Sequence, residues 1–174
     1  MNPIALGIFV NRIESICEEM GAVLRRAAFS PNIKDRMDFS CAIFDPNGGL
    51  CAQAAHIPVH LGSMAYAMTD IVQSVQWQVG DMVVLNDPYL GGTHLPDVTV
   101  IAPMFISGHD KKEVLMGFVV NRAHHANIGA TSPGSMPLSQ SLEEEGMIIP
   151  PTLLVQCDEI LENVLHRISG SKDG

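Results

Sequence analysis

Basic residues are scarce in this sequence. Ten lysines and arginines stand against nineteen aspartates and glutamates, for a formal charge of −9. Holding a phosphate backbone takes clustered Lys and Arg, so nucleic acid is excluded as a partner class. Long apolar runs are missing as well. The run from Ile4 to Val10 falls well short of the roughly 20 residues of a spanning helix, and no basic lead-in marks it as an export signal. A cytoplasmic protein with no membrane part is expected. The four cysteines, Cys17, Cys41, Cys51 and Cys157, show no CxxC spacing. A zinc ribbon and a vicinal redox pair are therefore not signalled, and reduced, structural thiols are expected. Neither GxSxG, GxxxxGK[ST] nor GxGxxG occurs, so a nucleophile elbow and the common ATP and dinucleotide loops are unsupported. Aromatics make up only 5% of the chain, against ten methionines and a mean hydropathy of +0.20. Adaptable methionine-rich packing fits that balance, with a core or a partner as its destination.

What is present suits one ordinary domain spanning residues 1–174, with a sizeable core. Asn2 and Pro3 read as a helix cap and first position. Phe9, Ile13, Ile16, Cys17, Met20, Leu24 and Ala27 then recur at helical spacing until Ser30-Pro31 ends the pattern. FSCAIF and LCAQA around Asp45-Pro46-Asn47-Gly48-Gly49 predict a β-hairpin with a five-residue connection. Pro58 argues against one regular helix carrying both His56 and His60, and Ser63 reads as the cap of a helix with Met64, Met68, Ile71 and Val72 on its apolar face. Short strands follow from Met82 to Leu85, Val98 to Ile106 and Glu113 to Val120, with His109 in the last connecting turn read as a solvated residue. Gly129 to Pro137 reads as an ordered loop, Met147 onward as a strand broken by Pro150-Pro151, then a weak helix from Ile160 to Ile168 and a frayed tail. The fold class expected is α+β, helices packed on a mostly antiparallel sheet with long ordered loops.

Chemistry concentrates in two places. NDPYLGGTHLPD, Asn86 to Asp97, is a loop of turn formers carrying a histidine and an aspartate three positions apart, and an apolar strand follows it. Glycines let such a loop approach a ligand closely, and loops fixed by a scaffold are common seats of function. Asn121-Arg122-Ala123-His124-His125-Ala126-Asn127 follows a second apolar run. Two strands delivering His94, Asp97, His124 and His125 to one point would match the donors of a divalent ion. The bland reading is histidines hydrogen-bonded within turns, and a metal-free hydrolysis through Ser63 or Ser135 is a third.

The strings SPNIKDRMDFSCAIFD (Ser30 to Asp45), HIPVHLGSM (His56 to Met64), NDPYLGGTHLPDVTV, NRAHHANIGATSPGSMP (Asn121 to Pro137) and EEGMIIPP (Glu144 to Pro151) together resemble the hydantoinase B/oxoprolinase family, in the family's order. The resemblance implies a subunit that opens a small cyclic amide with an A-type partner subunit carrying ATP, in a hetero-oligomer. It also implies a divalent metal (Zn, Mn or Fe) on His94, Asp97 and His124, with His60 and His125 as acid/base or supporting candidates. The alternatives it leaves are a related ATP-dependent ketone carboxylase subunit and a truncated, non-catalytic assembly piece. Two departures stand out. Asn127 and Ala130 occupy positions where the family has an aspartate and a glycine, and the chain corresponds only to the N-terminal part of the longer family subunits.

Overall fold

A computed structural model describes residues 2–55, 59–108, 111–130 and 138–169. The expectations for His56, Pro58, His109, the 131–137 loop with Ser132 and Ser135, and the last five residues fall outside those positions. The first helix, α1 (Pro3–Ala27), begins as read, with the Asn2 side chain accepting from the Ile4 amide and Pro3 in the first turn. A short helix, α2 (Pro31–Lys34), follows, and then the hairpin of β1 (Phe39–Phe44) and β2 (Leu50–Ala55). Its five-residue connection is held by Asp45, whose Oδ1 accepts from the amides of Asn47 and Gly49.

Helix α3 (Val59–Ser74) leads to β3 (Met82–Leu85), the long pair β4 (Asp97–Ser107) and β5 (Glu113–His124), a short turn of helix α4 (Leu142–Glu145), the hairpin β6 (Thr152–Gln156) and β7 (Glu159–Ile160), and α5 (Glu162–Ser169). Among the described residues all strand pairs are antiparallel, in one seven-stranded sheet ordered β2-β1-β5-β4-β3-β6-β7. The expected α+β class is what the chain adopts.

Strand alternation sorts the helices onto two faces. Ala42, Phe44, Val83, Leu85, Ile101, Phe118 and Val120 pack with Met64, Met68, Ile71 and Val72 of α3, so Met64 and Met68 belong to the core. On the other face Ile43, Ala52 and Ala54 meet Cys17 of α1, and Phe39 and Cys41 meet Met20 and Leu24. All of β1 is buried because it is covered on both sides.

Three boundaries differ from the sequence reading. α3 starts at Val59, so Ser63 lies inside the helix instead of capping it, and Ser63 Oγ donates to the carbonyl of His60. β5 runs on through Asn-Arg-Ala-His because it is paired on both sides, with β1 and with β4. The C-terminal strand begins only after Pro150-Pro151 instead of running from Met147 and being broken by them, and its hairpin turns at Cys157 and Asp158, both with positive φ, before α5 begins at Glu162.

Of the four free thiols, those of Cys17 and Cys41 are buried and those of Cys51 and Cys157 exposed. Burial pushes the Cys17 thiol up to about 11 and the Cys41 thiol up to about 12. Titration of the native chain with a thiol reagent at pH 8 should therefore give two prompt equivalents and two slow ones, all four becoming prompt in denaturant. Four prompt equivalents in the native state would contradict this packing. Among the described residues no helix is long and apolar enough to cross a membrane.

Candidate metal centre

The ladder between β4 and β5 sets the centre. Asp97, the first residue of β4, pairs with His124, the last of β5, and two positions inward Thr99 pairs with Arg122. All four side chains stand on the α3 face. His94 joins them through a tight turn in which the Asp97 amide donates to the His94 carbonyl, and Leu95 is fully buried beneath. The loop carrying His94 is fixed at its start by Asn86. That side chain donates to the carbonyls of Leu95 and Met147 at 2.8 and 2.9 Å and accepts from the Ile149 amide at 2.6 Å. Two glycines let the loop close on the core: Gly91 has φ +110°, and a Cβ on Gly92 would sit 2.3 Å from the Asn86 carbonyl oxygen.

His94 Nε2, His124 Nδ1 and Asp97 Oδ1 form a nearly equilateral triangle. The separations are 2.9 Å from His94 to Asp97, 3.0 Å from His124 to Asp97 and 3.1 Å between the two nitrogens. The other carboxylate oxygen, Oδ2, accepts from the Thr93 hydroxyl and lies 3.3 Å from His60 Nε2. His60 is itself buried in the first turn of α3, its Nδ1 3.0 Å from Ser40 Oγ. Asp38 stands at the rim, 4.0 Å from both His60 Nε2 and His124 Nδ1. Among the described residues of the centre, solvent reaches it at His94, whose side chain is 39% exposed, and at Asp38, 28% exposed.

Burial by itself would raise the Asp97 carboxyl. Hydrogen bonds from His124, His60, His94 and Thr93 overturn that and hold it well below the ordinary carboxylate range. His94 moves the other way, raised by its hydrogen bond to Asp97 against the effect of burial. Arg122 is buried beside this network. Its Nε donates to Thr99 Oγ1 at 2.8 Å, and its terminal nitrogens donate to Ser63 Oγ and the Gly91 carbonyl. Burial pulls the guanidinium down to about 10, with Asp97 acting in the opposite sense.

The donor set fits a divalent cation. If both facing nitrogens carry protons to donate to Asp97, two N–H dipoles confront one another at 3.1 Å, and a cation in place of those protons removes the conflict. His124 Nε2, the ring nitrogen outside the triangle, is buried with no hydrogen-bond partner among the described residues. Two imidazole nitrogens and one carboxylate oxygen on one side, with the opposite side open, are donors suited to zinc, manganese or iron.

Of the residues singled out in the sequence, His60, His94, Asp97 and His124 meet here. His125 does not. It follows His124 directly and so takes the opposite face, lining an apolar groove of about 520 Å³ with Leu24, Ile33, Val98, Val100 and Ala123. Its imidazole is depressed below the ordinary range, first by desolvation and then by the neighbouring His124. Asn127 Oδ1 accepts from the Gly129 amide at 2.8 Å, a turn-fixing task that an aspartate would also perform. Asp38, Ser40, Thr93 and Arg122 were not singled out as site residues. Only strand pairing or return through a loop brings them in, although all four lie within the quoted strings.

The sequence profile of the hydantoinase B/oxoprolinase family matches residues 2–171. The chain belongs to that family. Over 96% of its length it is 42% identical to a 5-oxoprolinase of Dictyostelium discoideum, of which it covers 13%. Over 82% it is 30% identical to a putative B-type D-/L-hydantoinase subunit of Pseudomonas sp. strain NS671, of which it covers 24%. In structure it resembles the ATP-dependent caprolactamase of Pseudomonas jessenii, with a TM-score of 0.78 at 25% identity, covering 97% of this chain and 29% of the other. This hydantoinase B/oxoprolinase chain thus spans well under a third of each of these relatives.

Proposed function

We propose that the chain is the metal-holding, N-terminal portion of a subunit that opens a small cyclic amide, with ATP used on an A-type partner subunit in a hetero-oligomer. The observation that carries the proposal is the triangle of His94 Nε2, Asp97 Oδ1 and His124 Nδ1, which opens on one side to solvent. The family membership and the naming of relatives as 5-oxoprolinase, D-/L-hydantoinase and ATP-dependent caprolactamase support the substrate class, since each name denotes action on a cyclic amide. Four free thiols fit the reducing cytoplasm.

A divalent ion on His94, Asp97 and His124 would supply Lewis acidity toward a carbonyl or a bound water. The chain's own residues do the rest. His60 and Thr93 fix one oxygen of Asp97, which leaves the other aimed into the triangle. Asp38 offers a further oxygen on the open side, where a substrate must approach. His60, closed off from solvent, orients Asp97 and does not itself meet the substrate. His125, on the other face, takes no step. With the amide oxygen phosphorylated at the expense of ATP, water adds to the amide carbon and gives up a proton to the ring nitrogen as the C–N bond breaks, and a second water splits the acyl phosphate into carboxylate and inorganic phosphate.

Elemental analysis tests the reading. About one equivalent of zinc, manganese or iron should survive dialysis, and should be lost both on chelation and in His94→Ala and His124→Ala variants. A well-folded wild-type chain that takes up none of these ions would overturn it and would favour the assembly-piece alternative.

A further inference from the structure

Arg122 is the largest fully buried side chain among the described residues, yet the chemistry above gives it no part. A buried guanidinium is costly unless its donors are used, and here three elements receive them. Nε donates to Thr99 on β4, one terminal nitrogen to Ser63 on α3 and the other to the Gly91 carbonyl in the loop. The Ser63 hydroxyl in turn donates a hydrogen bond to the carbonyl of His60. Gly91 lies three residues before His94, and Thr99 lies two residues beyond Asp97, opposite Arg122 in the ladder.

We infer that Arg122 is a positioning residue: by gripping the Gly91 carbonyl and Ser63 at once, it sets how far the loop carrying His94 and the helix carrying His60 stand from Asp97. The planar fork of arginine can reach three acceptors in fixed directions, whereas a lysine ammonium at the same depth presents a point charge without that geometry. The inference rests on the metal reading for one of its consequences only, because the spacing it describes exists with or without an ion.

The test compares wild type with Arg122→Lys and with Ser63→Ala, which deletes one acceptor and keeps the buried charge. Circular dichroism and thermal melting first establish that each is folded. Binding of Mn²⁺ and the absorption spectrum of bound Co²⁺ then report the triangle. In the metal-free chain, the rate of carbethoxylation of His94 at fixed pH, followed by peptide mass mapping, reports the loop. The expected result for Arg122→Lys is roughly 10- to 100-fold weaker Mn²⁺ binding, an altered Co²⁺ spectrum and several-fold faster His94 modification, with smaller changes of the same sign for Ser63→Ala. A folded Arg122→Lys with unchanged affinity, spectrum and modification rate would make the residue merely structural and overturn the inference. If the wild type binds no ion, the metal reading fails, and the His94 rate alone decides: faster supports positioning, unchanged overturns it. If Arg122→Lys does not fold, Ser63→Ala decides by the same readouts.

Discussion

Exchanging Asp97 for asparagine is expected to abolish metal retention and to destabilise the metal-free chain by about 3–5 kcal/mol, the usual cost of removing one member of a buried charged network. One carboxylate here serves three imidazoles and a threonine hydroxyl, so its loss removes the anion they share and leaves only Asp38, 4.0 Å from His60 and His124, at the rim. The pH dependence should identify the cause. Because the folded-state carboxyl is held below its ordinary value, its contribution is complete above the unfolded pKa of about 4 and fades as pH falls toward the depressed folded value. His94 is raised, so its share is complete below the unfolded value of about 6.5 and is lost as pH rises through the higher folded one. Urea titrations in chelator should thus find the gap between wild type and Asp97→Asn widest from roughly pH 4 to 6.5. A gap constant from pH 3 to 8 would rule out this electrostatic account.

Asn86→Ala should come next in size. It strips partners from the carbonyls of Leu95 and Met147 and from the Ile149 amide. At about 1–3 kcal/mol for each buried group left unpaired, with some relief by relaxation, a loss of roughly 3–5 kcal/mol is expected. A domain of ordinary stability, about 5–15 kcal/mol, would be brought near its threshold. Asn86→Asp keeps the acceptor for Ile149 but sets a carboxylate against two carbonyl oxygens, and should be nearly as harmful at pH 7. Denaturant midpoints measure both. A cost under about 1 kcal/mol for Asn86→Ala would mean that water replaces the side chain. Because the Leu95 carbonyl adjoins His94, metal affinity should fall together with stability.

Local rules made part of this molecule legible in the sequence. The Asn2-Pro3 start of α1, the Asp45-to-Gly49 connection and the apolar stripe of α3 follow from capping, turn chemistry and periodicity within a few residues. The polar end of β5 did not follow in that way. Asn121 and Arg122 are strand residues because β1 and β4 both pair with them, and His124 because it pairs with Asp97 while its amide donates to the Asp38 carbonyl; a string of polar residues carries no sign of that. Once β5 ends at Val120, as the sequence suggested, His124 and His125 look equivalent. With the strand extended to His124, period-2 alternation separates them. Asp38 and Arg122 were hidden for the same reason, since their roles arise across ladders between distant stretches. His94 and Asp97 were legible because one turn brings them together.

The position of β5 has a further consequence for synthesis. The β1–β2 hairpin leaves the ribosome before the strand that completes it, because the free edge of β1 is taken up by β5, roughly 70 residues later, which at 5–20 residues per second is an interval of several seconds. During that time FSCAIF presents unpaired backbone flanked by apolar side chains, the profile of a strand that recruits another copy of itself. Slow translation or high expression should therefore favour inclusion bodies, and supplying holdase chaperones should raise the soluble yield without changing the stability of the finished chain.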